Sequence, residues 1–84
     1  GLKLAYEAGL AGGVSPCIFN AANEEAVSLF LNEEIRFIDI PIVIESALSH
    51  IPNSFPTELQ GYLDKDNQTR NYVLNQFSKR QVKV

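Results

Sequence analysis

The residues best suited to chemistry lie in the stretch NAANEEAVSLF, from Asn20 to Phe30. Two carboxamides, Asn20 and Asn23, stand one helical turn apart, and Glu24 follows. Asn is a mediocre helix former, because its side chain offers the backbone competing hydrogen bonds. Three roles would account for the pair: a ligand, a buried contact with another domain, or a solvated face.

Other candidate groups are weaker. Gly12-Gly13 precedes a helix start, which is an anion-binding geometry in principle. It is neither a G-x-G-x-x-G after a strand nor a glycine loop ending in Gly-Lys-Ser/Thr, so a helix–helix turn is the favoured reading. Glu24 and Glu25 are adjacent, point ~100° apart on a helix, and cannot form an acid/base couple by themselves. Glu33 and Glu34 fall at a helix end, and Asp64 and Asp66 bracket Lys65 without the rest of a calcium loop. Solvated or capping roles are expected for all these carboxylates. Cys17 sits in a first helical turn, where the dipole can lower a thiol pKa. No motif supplies it with a partner, so a small buried thiol is expected. His50, the single histidine, suits the C-terminal end of a helix. No catalytic, cofactor-binding or metal-ligating residue is assigned.

The elements that carry these residues read as all-α, a small bundle of about four helices plus a short helical turn. Gly1 to Ala11 form a first helix with Leu2, Ala5, Tyr6 and Leu10 at helical spacing; Gly9 within it suggests close packing. Ser15 is the expected N-cap of a second helix, with Pro16 at its first position, running to about Leu31. At ~100° per residue, Ile18, Leu29, Ala22, Ala26, Phe19 and Phe30 form an apolar arc that continues through Val27 to Leu31. Such width predicts cover on more than one side. Asn20 and Asn23 fall on the flank of that arc, which disfavours the solvated role. Glu33 to Asp39 is a connector anchored by Ile35 and Phe37. Asp39 is the expected cap of a third helix, Ile40 to His50, with a stripe of Ile40, Val43, Ile44, Ala47, Leu48 and Ile51. Pro52 to Pro56 reads as loop. Thr57 to Leu63 reads as a short helical turn anchored by Leu59 and Leu63. Asp66 is the expected cap of a last helix with Arg70, Val73, Leu74 and Phe77 as its stripe, fraying after Lys79.

Bulk properties narrow the function. At 84 residues one domain is expected. A net charge of −3 and a pI near 4.9 argue against nucleic acid and anionic membrane surfaces. The basic group Lys79, Arg80 and Lys83 is read as a helix-end charge match. One cysteine excludes an internal disulfide framework. No apolar run approaches the ~20 residues that span a bilayer. The chain has no methionine, so it is expected to be a processed or excised piece.

Taken together, LKLAYEAGLAGG and NAANEEAVSLFLNEEIRFIDI resemble the C-terminal region of the 1-deoxy-D-xylulose 5-phosphate reductoisomerase family. The family pattern falls on Leu2 to Ala8, Gly12-Gly13, Asn20 to Leu31 and Ile35 to Ile40, and more loosely on DKDNQTR. Glu25, Cys17 and Phe19 depart from it, and residues 52 to 63 align poorly.

The resemblance implies a parent enzyme with an NADPH-binding domain, a catalytic domain holding Mg or Mn, and a C-terminal helical bundle. That parent converts 1-deoxy-D-xylulose 5-phosphate to 2-C-methyl-D-erythritol 4-phosphate, in isoprenoid precursor synthesis. It is a homodimer, cytoplasmic in bacteria and plastid-located in plants or apicomplexans. The fragment, residues 1–84, is then an accessory domain, inactive alone, whose partners are the other two domains of its own chain. Asn20, Asn23 and Glu24 are expected to form a hydrogen-bond set that docks the second helix or fixes the loop after the first. The alternative reading is a stand-alone helical interaction module.

Overall fold

The computed structural model describes residues 2–79. Its elements are α1 (Leu2–Ala11), α2 (Ser15–Leu31), a 3-10 turn (Phe37–Asp39), α3 (Ile40–His50) and α4 (Leu59–Phe77). Among the described residues there is no strand. The all-α expectation therefore holds. The basic residues Arg80 and Lys83, and the fraying expected after Lys79, fall outside the described residues.

The central helix is α2, which packs against all three others. Ile18, Ala21, Ala22, Ala26 and Leu29 are its buried side chains. Three of the five are alanines, and such short side chains let neighbouring helix axes approach closely. Val43, Ile44, Ala47 and Ile51 answer from the α3 side, and Val73 from α4. The predicted cover of α2 on more than one side and the predicted α3 stripe are both observed. The molecule is a slab, 36 × 32 × 17 Å. Its thin dimension is less than two helix diameters of ~10–12 Å, so most helices keep one face outside the core.

Several local expectations need correction. Leu2, Tyr6 and Leu10 of α1 are exposed; Ala8 is the buried residue, and Leu4 packs against the core from one turn earlier. Gly9 is not a close-packing site, since a side chain there would meet nothing within 4 Å among the described residues. In the connector Ile35 does pack on the core, but Phe37 is 68% exposed and rests edge-on against Phe30, with ring centroids 5.6 Å apart.

The caps also differ. Ser15 is already helical, and no side chain of α2's own start caps it. Instead Asn53, from the loop before α4, turns its Oδ1 onto the backbone N–H groups of Val14 and Ser15, at 3.0 and 3.1 Å. Val14 N–H also donates to the Ser54 carbonyl, 2.9 Å away. Asp39 does not cap α3 with its side chain. Its carboxylate reaches back to the Arg36 N–H at 2.8 Å and to the Arg36 guanidinium at 3.0 Å. That closes the 3-10 turn and hands the chain on to α3.

The last helix is longer than expected. What read as a short turn, a capping Asp66 and a separate helix is one continuous helix from Leu59 to Phe77. Asp66 lies in its interior and bonds Arg70 one turn on. Leu59 and Leu63 anchor nothing, being 72% and 46% exposed; Tyr62 packs against the core instead.

The end of α2 has its own geometry. Glu33 adopts a left-handed φ of 59°. Its N–H donates to Phe30 O, and the N–H of Glu34 donates to Leu29 O. This pair of bonds closes a helix around a left-handed residue, a position glycine usually fills. Glu34 follows, 8% exposed, and its Oε1 accepts from Ser78 Oγ at 2.8 Å and Lys79 N at 2.9 Å. A carboxylate expected in a solvated or capping role is thus the latch that holds the exit of α4.

Candidate docking surface

The asparagine-bearing helix presents two different environments. On one side, Asn20 is exposed and donates Nδ2 to Glu24 Oε2 at 3.3 Å, within the helix. Glu24 Oε1 accepts from Arg70 Nη2 at 2.7 Å. The same guanidinium binds Glu25 at 3.0 Å and Asp66 at 2.8 Å. Three carboxylates around it push the Arg70 pKa above its ordinary value, Asp66 contributing most. The adjacent pair Glu24 and Glu25 is therefore a two-pronged grip on α4.

On the other side, Asn23 is half-buried and lines an apolar groove of about 730 Å³. Leu2 and Ala5 of α1, Phe19 and Val27 of α2, Phe37 and Ile38 of the turn, and Ile40, Pro41 and Ile44 of α3 form its walls. Among the described residues the Asn23 carboxamide has no hydrogen-bond partner, and no side-chain polar atom is both sealed from solvent and unpaired. The structure brings Asn20 and Glu24 together and leaves Asn23 apart from them.

The remaining candidates settle into structural roles. Gly12 and Gly13 have φ of 66° and 57° and make the α1–α2 turn. The N–H groups that an anion would use are held by Asn53. Cys17 is half-buried with Sγ 3.5 Å from the Tyr62 carbonyl, and burial pushes its pKa up, Asp66 adding to the effect. His50 stacks on Tyr72 at 4.6 Å, and the Tyr72 hydroxyl pairs with Ser46 Oγ at 2.6 Å. Among the described residues no three His, Cys, Asp or Glu side chains cluster as metal ligands. No helix among them is long and apolar enough to cross a membrane.

Reasoning from the sequence missed Arg70, Asn53, Glu34 and the groove. Asp66 and Arg70 stand four apart in the orientation that stabilises a helix, so that pair was readable. Nothing local signals that Asn53 or Glu34 has a distant partner. The exposure of Leu2, Val27, Phe37 and Ile38 depends on how four elements meet.

Comparison with known proteins adds a separate line. Residues 1–72 match the family described as DXP reductoisomerase C-terminal domain. A relative from Leptospira biflexa serovar Patoc (strain Patoc 1 / Ames), named 1-deoxy-D-xylulose 5-phosphate reductoisomerase, is 63% identical over 78 residues. That alignment covers 93% of this chain and 20% of the relative. Relatives of the same name from Leptospira borgpetersenii serovar Hardjo-bovis (strain JB197) and Synechococcus sp. (strain CC9902) are 57% and 45% identical, covering 89% and 99% of this chain. This chain spans 19% and 20% of those two relatives.

Proposed function

Because this chain belongs to the DXP reductoisomerase C-terminal domain family, we propose that it is the helical C-terminal part of a reductoisomerase. In that reading residues 1–84 form one accessory domain of a longer enzyme. The parent isomerises and reduces 1-deoxy-D-xylulose 5-phosphate to 2-C-methyl-D-erythritol 4-phosphate, using NADPH and a divalent cation, Mg or Mn. The observation that carries this is the match through residues 1–72, which takes in the glycine turn, the Asn20–Glu24 stretch and the connector into α3.

The residues present do not fit either cofactor. The N–H groups of Val14 and Ser15, just after the glycine turn, are occupied by Asn53, and no ligand cluster for a cation exists among the described residues. No catalytic step is derived from this chain. Its proposed work is mechanical: to brace the domains before it. Asn20 and Glu24 belong to the bundle's own bracing through Arg70, and Asn23 to contact with the preceding part of the chain. The parent is a homodimer, and in a bacterium it works in the cytoplasm.

The test is DXP-dependent NADPH oxidation by the full-length product of the gene, beside the 84-residue chain alone. Turnover by the first and none by the second is expected. A full-length product that folds, binds NADPH and leaves DXP untouched would overturn the reading.

A further inference from the structure

We propose that the groove between α1, α2 and the turn into α3 is the seat of an uncharged, apolar segment from the part of the same polypeptide that precedes α1. This rests on the reading above, in which the chain is the C-terminal part of a longer enzyme.

The groove exposes clustered apolar side chains. Leu2, Phe37 and Ile38 are 91%, 68% and 62% exposed, and Val27 on the facing wall is 37% exposed. Single exposed apolar residues are ordinary, but a contiguous set of this kind marks a surface with an occupant.

Size and position decide which occupant. Ten of the described residues line the groove. A stable interface between separate molecules takes about 20–30 residues a side. A segment tethered to the same chain needs far less contact, because its effective concentration reaches the millimolar range. The family match is to a C-terminal domain and the chain covers 20% of its relative, so most of such a protein precedes α1. The first turn of α1 is itself a wall of the groove, through Leu2 and Ala5. A chain arriving at α1 enters at the groove's rim.

The lining sets the chemistry. Among the described residues no Lys, Arg, Asp or Glu lines the groove, so a charged occupant would lose its hydration without gaining a partner. Asn23 is the polar lining residue, and its carboxamide can donate and accept at once. That matches a backbone N–H and C=O, brought in by a segment whose aliphatic or aromatic side chains fill the space between Phe37, Ile38 and Val27.

The test is hydroxyl-radical footprinting of the full-length protein and of the 84-residue chain. With a tethered segment about tenfold above its local Kd, the groove is open about a tenth of the time, and labelling of Phe37 and Ile38 falls about tenfold in the full-length protein. Leu59 and Phe55, which do not line the groove, serve as controls for general exposure. An Ile38→Asp substitution should restore labelling of Phe37 in the full-length protein. Helix content of the 84-residue chain should not change on that substitution, because Ile38 is already in water. Equal labelling of Phe37 and Ile38 in the two proteins overturns the proposal even if the full-length enzyme turns over DXP. Protection without turnover supports the proposal and counts only against the activity reading. Protection that appears in the 84-residue chain as its concentration rises, together with a dimer mass by sedimentation, makes a second copy the occupant and overturns it.

Discussion

Arg70 Nη2 on α4 lies 2.7 Å from Glu24 Oε1 on α2, across 46 residues of chain. The side chains are 28% and 55% exposed, so this pair by itself contributes little. The guanidinium also holds Glu25 and Asp66, and one rigid planar group serves three carboxylates.

Arg70→Ala should therefore destabilise the domain by about 1–2 kcal/mol, summing half-exposed pairs worth ~0.2–1 kcal/mol each. Glu24→Gln, at the most exposed partner, should cost less than about 0.5 kcal/mol. Arg70→Lys should recover only part of the loss, because an ammonium cannot present a fork to three acceptors. Urea melts at low and high salt check this. A salt-insensitive Arg70→Ala effect would assign the loss to packing of the side-chain stem.

Three glycines should respond in three ways to alanine. At Gly13, φ is +57° and a Cβ would sit 2.3 Å from the Ser54 carbonyl oxygen, so Gly13→Ala should cost about 2–4 kcal/mol. At Gly61 a Cβ would meet the Pro56 ring at 2.4 Å. There overpacking outweighs the ~1 kcal/mol gain in helix propensity, for a net loss of about 1 kcal/mol. At Gly9 a Cβ would meet nothing within 4 Å among the described residues, and Gly9→Ala should stabilise by about 0.5–1 kcal/mol. Thermal melts of the three variants should rank in that order.

The ends of α2 can be tuned in opposite directions. Asn53→Ala removes the acceptor for Val14 and Ser15 and should cost about 0.5–2 kcal/mol. Glu33→Gly relieves a left-handed non-glycine residue worth ~1–2 kcal/mol, less the ~0.4–1 kcal/mol that glycine adds to the entropy of the unfolded chain. A net gain of about 0.5–1 kcal/mol is expected by denaturant titration. Unchanged stability on Asn53→Ala would mean that the Ser54 carbonyl suffices as the acceptor.

Asp39 gives a pH dependence of known sign. Its hydrogen bonds to the Arg36 side chain, then to the Arg36 N–H, hold its carboxyl below the ordinary carboxylate value. Because the folded-state pKa is depressed, its contribution is fully present above the unfolded pKa of ~3.9 and is lost as pH falls through the folded value. A carboxyl NMR titration should find Asp39 titrating low, and Arg36→Ala should move it back toward ordinary. An unshifted Asp39 in the parent sequence would show that the contact does not persist in solution.

Cys17 should alkylate slowly with iodoacetamide at neutral pH, since burial raises its pKa and the thiolate is the reactive form. Rapid labelling would show that the first turn of α2 opens readily.

How much of this was legible can be judged residue by residue. The α3 stripe was, because Val43, Ile44, Ala47 and Ile51 repeat at the helical period and their burial follows from local spacing. So was the width of the α2 arc. The exposed face of α1 was not. Leu2, Tyr6 and Leu10 share a helical spacing as good as that of Leu4 and Ala8, and hydrophobicity alone cannot say which row meets α2. Asp66 misled because an aspartate after a turn-like stretch looks like a cap, whereas its partner is Arg70 within the same helix. Of the Asn20, Asn23 and Glu24 set, spacing along the helix did not show that Asn20 and Glu24 face α4 while Asn23 faces the groove.

By itself the sequence determined the first three helices, the glycine turn and the family, because each is written in residues close together along the chain. The tertiary structure alone decided that Asn53 caps α2, that Glu34 latches α4, that Arg70 reaches Glu24 and Glu25 across the bundle and that an apolar groove lies beside Asn23. Those partners stand about forty residues apart or more. Periodicity carries no information over that distance; only the packing of α2 against its neighbours brings the groups within reach.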